Sequence, residues 1–212
     1  GNLHMYAGTG NAGSTNMRAS LNYNIAAAAN TLSSALEIQF NMGVINGIDP
    51  SYWTSFCVGS TQNPFVNEAA VGFGSLFRDS GGTQQFDGTT GIGGTATFTD
   101  GDLITFLISD ASGNGSAFNS DGATDVVKMY VGTTLTNTWT NLDLTAADKY
   151  ISFHAYGTVA NIDNLTITAT NPAYPFATWM STNYPDIVSP DNQPAADPDN
   201  DGSKNLMEYV LQ

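Results

Sequence analysis

Residues 197–208 of this 212-residue chain read DPDNDGSKNLME. Counting Asp197 as position one, acids stand at one, three, five and twelve (Asp197, Asp199, Asp201 and Glu208), with Gly202 at six. Carboxylates this crowded repel one another unless a cation neutralises them. Oxygen ligands at alternate positions, a glycine for the sharp turn and a glutamate able to bind through both oxygens are what calcium requires. Ser203 at seven would offer its backbone carbonyl, and Asn205 at nine would bind directly or through a water. Hard oxygen donors without His or Cys favour calcium over zinc. The plainer alternative is a solvated acidic turn in which Asp201 and Ser203 cap a helix.

The spacing is that of an EF-hand loop, with two departures. Position eight is Lys204 where an apolar residue is usual, and Pro190 and Pro194 keep a helix from running straight into the loop. The segment therefore resembles the solitary calcium loops of dockerin-like and thrombospondin type 3-like modules. The resemblance covers about the last forty residues. It implies an extracellular structural calcium site, not a sensor.

The elements that would hold this loop are short helices. In NPAYPFATWMSTNYPD, Asn171 and Pro172 end a strand-rich region and Pro175 suits a helix start. Phe176, Trp179 and Met180 follow helical spacing, and Leu206, Tyr209 and Val210 form a second apolar stripe. A helix–calcium loop–helix tail is thus expected over residues 171–212. Residues 1–5, GNLHM, read as a cloning scar, which leaves 6–170 as the main domain and His154 as the native histidine. Without a signal peptide, the chain reads as an excised piece of a larger protein whose other domains would be partners.

Nineteen acidic against five basic residues give a net charge of −14. That argues against nucleic acid and anionic membranes, which need basic patches. No stretch approaches the apolar length of a membrane helix, so membrane insertion is not expected. The lone Cys57 lies in an apolar alternating stretch and reads as a buried, inert thiol.

Residues 15–170 read as strands. ALEIQFNM places Leu36, Ile38, Phe40 and Met42 on one face and Glu37, Gln39 and Asn41 on the other. Similar runs follow at WTSFCVG, VGFGSLFR, TQQFDG, TATFT, DLITFLIS, DVVKMYV, TLTNTWTNL, YISFHAY and IDNLTITA, separated by turn signals such as DSGG and TDGD. Ala26–Ala29 could start a helical turn. About ten or eleven strands without intervening helices make an all-β, two-sheet sandwich the expected fold.

LEIQFNM, WTSFCVGS, FGSLFRDSGGTQQFDG and YISFHAYGTVANIDNLTIT together resemble a concanavalin A-like, laminin-G-like jelly roll. The closing IDNLTI is similar to the last strand of many secreted bacterial sandwiches. The tail resembles one common in Verrucomicrobia-type secreted proteins. These resemblances imply a secreted or cell-surface bacterial protein and a fold that hosts lectins, adhesion modules, glycosidases and lyases.

The stretch YISFHAY carries the binding argument. Ile151, Phe153 and Ala155 suit the core, which puts Tyr150, His154 and Tyr156 on the opposite face. Flat aromatic rings with a polar neighbour suit the apolar C–H faces and hydroxyls of sugars. Trp53, near a loop end, and Trp139, in TNTWTNLD, are further candidate stacking rings, and each could equally be a core plug. Arg78 could grip a carboxylated or sulfated glycan, or pair with Asp79 or Asp87. No spaced acid/base constellation points to catalysis: Glu37, Glu68 and Glu208 are the only glutamates, and Glu208 belongs to the calcium loop. The leading reading is a noncatalytic domain that binds polysaccharide. The alternative is a structural or adhesive surface module, and the third is a polysaccharide lyase or glycosidase.

Overall fold

The alternation in residues 35–45 becomes a long strand of a two-sheet antiparallel sandwich in the computed structural model of the chain. The structure describes residues 3–6, 16–30, 35–45, 51–94, 96–111, 117–120, 122–157 and 159–170. All belong to the first of two units of the chain, Gly1–Thr170; the second, Asn171–Gln212, with the expected calcium loop and helices, lies outside the described residues.

In chain order the elements are β1 (Leu3–Tyr6), β2 (Asn16–Ser20), α1 (Ile25–Asn30), β3 (Ala35–Ile45), β4 (Trp53–Gly59), β5 (Val71–Arg78), β6 (Thr83–Asp87), β7 (Thr90–Gly93), β8 (Asp102–Asp110), β9 (Asp125–Val131), β10 (Thr134–Leu142), β11 (Tyr150–Tyr156) and β12 (Val159–Thr170). The first sheet has the order β1-β12-β3-β8-β9-β10, and the second β2-β11-β4-β5-β6-β7. Three strands are absent from the sequence reading: β1, β2 and β7. TATFT contributes only an isolated bridge, Gly82 to Thr97. β1 takes in Leu3, His4 and Met5 of the expected scar together with Tyr6; it pairs with β12, and Met5 reaches the core at 2 % exposure.

Aromatic rings from both sheets fill the space between them. Phe40 of β3 and Phe106 of β8 meet Phe56 of β4 and Phe153 of β11. Phe56 and Phe106 stack at 4.3 Å between centroids, and Phe40 meets Phe153 edge-on at 5.3 Å. These separations suit offset and edge-to-face ring packing. Each fully buried Phe contributes roughly 1.5–3 kcal/mol by leaving water. The short helix α1 starts where Asn24 Oδ1 accepts from the Ala27 amide at 3.0 Å, an N-cap bond, and it buries Ile25, Ala26 and Ala29.

Two bulges decide which side chains reach this core. Asn164, at φ 53°, lies where the β12–β3 register shifts between Asp163 and Thr166. Ile162 is buried before the shift, while Leu165 and Ile167 pack against the core after it. The odd positions have thus replaced the even ones. Asn141, at φ 60°, does the same in β10, between Trp139 and Leu142.

Candidate functional site

The outer face of the second sheet carries its own small core. Cys57, Val66, Val71 and Leu76 are buried there, with Trp53 and Phe86 packed against them. The cover comes from the connection between β4 and β5, residues 60–70, which folds back over the sheet. Its base is closed by the Ser60 amide and hydroxyl, both donating to the Ala70 carbonyl at 2.8 and 3.2 Å. Its tip is held by β2. Ser20 Oγ donates to Asn63 Oδ1 at 2.9 Å and accepts from the Asn63 amide at 2.7 Å, while Arg18 Nη1 donates to the Asn63 carbonyl at 2.9 Å. The Arg18 guanidinium also lies 3.6 Å over the Phe65 ring, a cation–π contact. Gly74 is needed below the loop, because a Cβ there would meet Val66 at 2.6 Å and Cys57 at 2.9 Å. Burial first and the Glu68 charge second push the Cys57 thiol up to about 12, so it is the inert thiol expected.

One row of side chains crosses four adjacent strands just beyond this cover. The registers pair Asn16 of β2 with Tyr156 of β11, Tyr156 with Trp53 of β4, and Trp53 with Arg78 of β5. At about 4.8 Å per strand the row spans roughly 14 Å. Asn16 is exposed, and Tyr156, Trp53 and Arg78 are half-buried. Trp53 and Tyr156 stack at 5.6 Å with planes 26° apart, and Tyr52 meets Tyr156 edge-on at 6.5 Å. The Tyr52 ring fits there because residue 157 is glycine at φ +68°: a Cβ would overlap it. At the far end, Arg78 Nη2 donates to Gln84 Oε1 of β6 at 2.9 Å.

His154 lies one row back, beneath the aromatic rings. Its ring contacts Trp53 at 4.7 Å and Phe65 at 4.6 Å and is 1 % exposed. Nε2 stands 2.9 Å from Asn16 Oδ1, and an amide oxygen can only accept, so the proton is on Nε2. Nδ1 then presents a buried lone pair without a hydrogen-bond partner. Burial, with the Arg18 charge second, lowers the imidazole to about 4. It is neutral at physiological pH.

The structure therefore brings Trp53, His154 and Tyr156 together and separates the other two candidates. Tyr150 pairs with Gly59, six residues along β11 from Tyr156, or about 20 Å, and its ring lies 5.4 Å from Lys149 Nζ. Trp139 is a correction. It belongs to β10 of the other sheet, is 1 % exposed, packs on Phe73 and Phe106, and its Nε1 donates to the Phe86 carbonyl at 2.9 Å. It plugs the core and cannot meet a ligand. His154 is corrected in role: sealed by Trp53 and Phe65, it positions Trp53 and Asn16 instead of reaching a hydroxyl itself. Asn16 and Tyr52 were missed. The signal for Asn16 was present, because NMRAS alternates polar Asn16, Arg18 and Ser20 with apolar Met17 and Ala19.

A second concavity, about 310 Å³, opens between Leu3, Ala19, Leu21, Ile162 and Leu165. Among the described residues that line it, Ser20 is the one polar side chain. Among the described residues, no group of three or more His, Cys, Asp or Glu is placed to hold a metal.

No protein family's sequence model matches the chain, and no curated protein matches it. Among solved structures it is similar to the endo-β-1,4-glucuronan lyase of the fungus Trichoderma reesei, at 12 % identity and TM-score 0.47, over 81 % of each chain. It is also similar to the carbohydrate recognition domain of Emp47p, at 10 % identity and TM-score 0.44, over 65 % of this chain and 72 % of that one. Sheep galectin-11, in complex with glycerol, matches at 7 % identity and TM-score 0.41, over 72 % of this chain and 96 % of that one. Likenesses this distant assign no residue and no ligand, and the row above stands on its own geometry.

Proposed function

We propose that this chain is a noncatalytic carbohydrate-binding domain of jelly-roll type, and that it binds glycan on the Asn16–Tyr156–Trp53–Arg78 row. The observation that carries the reading is the stacked Trp53–Tyr156 pair, half-exposed and flanked by an amide and a guanidinium on neighbouring strands. Stacked rings offer the flat apolar surface that sugar C–H faces meet, and the flanking groups offer donors and an acceptor for hydroxyls. A proton-transfer enzyme would want a reachable imidazole here. His154 is buried, and its Nε2–H is spent on Asn16.

The test is Tyr156→Ala measured against a panel of soluble polysaccharides and their oligomers. A stacking contact supplies about 1–1.5 kcal/mol, so affinity should fall roughly tenfold. Tyr156→Phe, which keeps the ring, should keep most of the binding. Unchanged affinity in Tyr156→Ala would move the reading to a structural or adhesive module.

We also propose that residues 197–208 bind one calcium ion and that the chain acts outside the cell as part of a larger bacterial protein. The support is the acid spacing of the loop and the sequence resemblances alone. Calorimetry should show calcium binding in the range of extracellular modules, about 10⁻⁴ M or tighter. Asp199→Ala should abolish it; an affinity untouched by that change would remove the calcium assignment.

A further inference from the structure

We propose that the glycan taken by this row is acidic, carrying a carboxylate or sulfate that the Arg78 end receives. The proposal rests on the glycan-binding reading and narrows it to a substrate class. The chain has only five basic residues against nineteen acidic ones, and only two of the five are arginines, Arg18 and Arg78. Both stand on the outer face of the second sheet. Arg78 is the register partner of Trp53, and Arg18, the partner of His154, sits two residues along β2 from Asn16. A chain of net charge −14 repels polyanions as a whole, so recognising one requires local positive charge at the site.

Both guanidiniums are held in place. Gln84 Oε1 takes a proton of Arg78 Nη2 at 2.9 Å, and the Asn63 carbonyl and Phe65 ring fix Arg18. A fixed guanidinium fork matches the paired oxygens of a carboxylate or sulfate, which an ammonium does not. The placement also suits the sugar. An acidic substituent projects from the edge of a ring lying flat on Trp53 and Tyr156, and Arg78 stands one strand spacing, about 4.8 Å, from Trp53. Glu68, whose charge is felt at Cys57, lies in the covering connection, and Cys57 itself stands four residues, about 13 Å, along β4 from Trp53.

The full chain would be titrated with three oligosaccharide ladders: a neutral β-1,4-glucan, a polyuronate and a sulfated galactan, each at low and high sodium chloride. At least one acidic ladder should bind about tenfold tighter than the neutral one, and salt should erode that margin. Which acidic ladder wins distinguishes carboxylate from sulfate. Arg78→Met should erase the preference, whereas Trp53→Ala should remove binding to every ladder. Arg78→Lys guards against a folding defect: it keeps the charge, so the salt dependence should survive with weaker affinity. Equal binding of neutral and acidic ladders, unaltered in Arg78→Met, would overturn the acidic class and leave the row standing. No binding to any ladder, or full binding in Trp53→Ala, would overturn the row itself.

Discussion

Replacing Trp139 by alanine should destabilise the folded domain by about 3–5 kcal/mol, the range for losing a fully buried large aromatic. The indole is 1 % exposed and lies 5.8 Å from Phe73 and 6.0 Å from Phe106, between rings of both sheets. Alanine would leave a void that the flanking strands cannot close without breaking the β9–β10 ladder. It would also remove the bond from Nε1 to the Phe86 carbonyl, which ties β10 of one sheet to β6 of the other. Trp139→Phe should cost less, because it refills most of the void and loses only that bond and some volume. Urea unfolding of the three proteins measures both losses, and the melting temperature of the alanine variant should fall on the order of 10 °C. Glycan affinity of the folded variants should not change. A variant as stable as the parent, with weakened glycan binding, would return Trp139 to the surface.

Trp139 also shows where sequence patterns stop being informative. Strict alternation in TLTNTWTNL would put positions 139 and 141 on one face. The structure puts Leu142 beside Trp139 instead, because Asn141 takes a positive φ and inserts a bulge. Alternation without such breaks was legible: Leu36, Ile38, Phe40 and Met42 are all buried, and Ile151, Phe153 and Ala155 face the inter-sheet core as expected. The aromatic face of β11 was legible for the same reason. What covers that face was not, because residues 60–70 carry no periodic pattern. Their position depends on Asn63 being held by Ser20 and Arg18, more than forty residues away in the chain. That loop turns His154 from a candidate ligand group into a buried support. The row itself needed three strand registers to assemble, and registers are set by pairing partners that one strand's sequence does not name.

The burial of His154 should make the domain sensitive to mild acid. Its folded pKa, about 4, lies below the ordinary imidazole value of 6.5, so between those values the unfolded chain binds a proton that the folded chain does not. Stability from this group is complete above about pH 6.5, declines as pH falls, and is fully lost below about pH 4. At 1.36 kcal/mol per pH unit the loss is roughly 2–3 kcal/mol, the lower figure allowing for screening by water beyond the thin cover of Phe65 and Trp53. Burial is the main cause; the positive charge of Arg18 adds to it, and Asn16, Trp53 and Phe65 bring no charge to offset either. Carboxylates titrate in the same range, so the comparison must be with His154→Phe, which keeps a ring in the slot and removes the titration. The stability of the parent relative to this variant should shrink by that amount between pH 7 and pH 4. Asn16 would lose its bond in the variant at every pH, which shifts the variant's curve without changing its slope. If the two curves run parallel through this window, protons reach His154 in the folded state, and the cover over the aromatic row is looser than the packing of Phe65 and Trp53 implies.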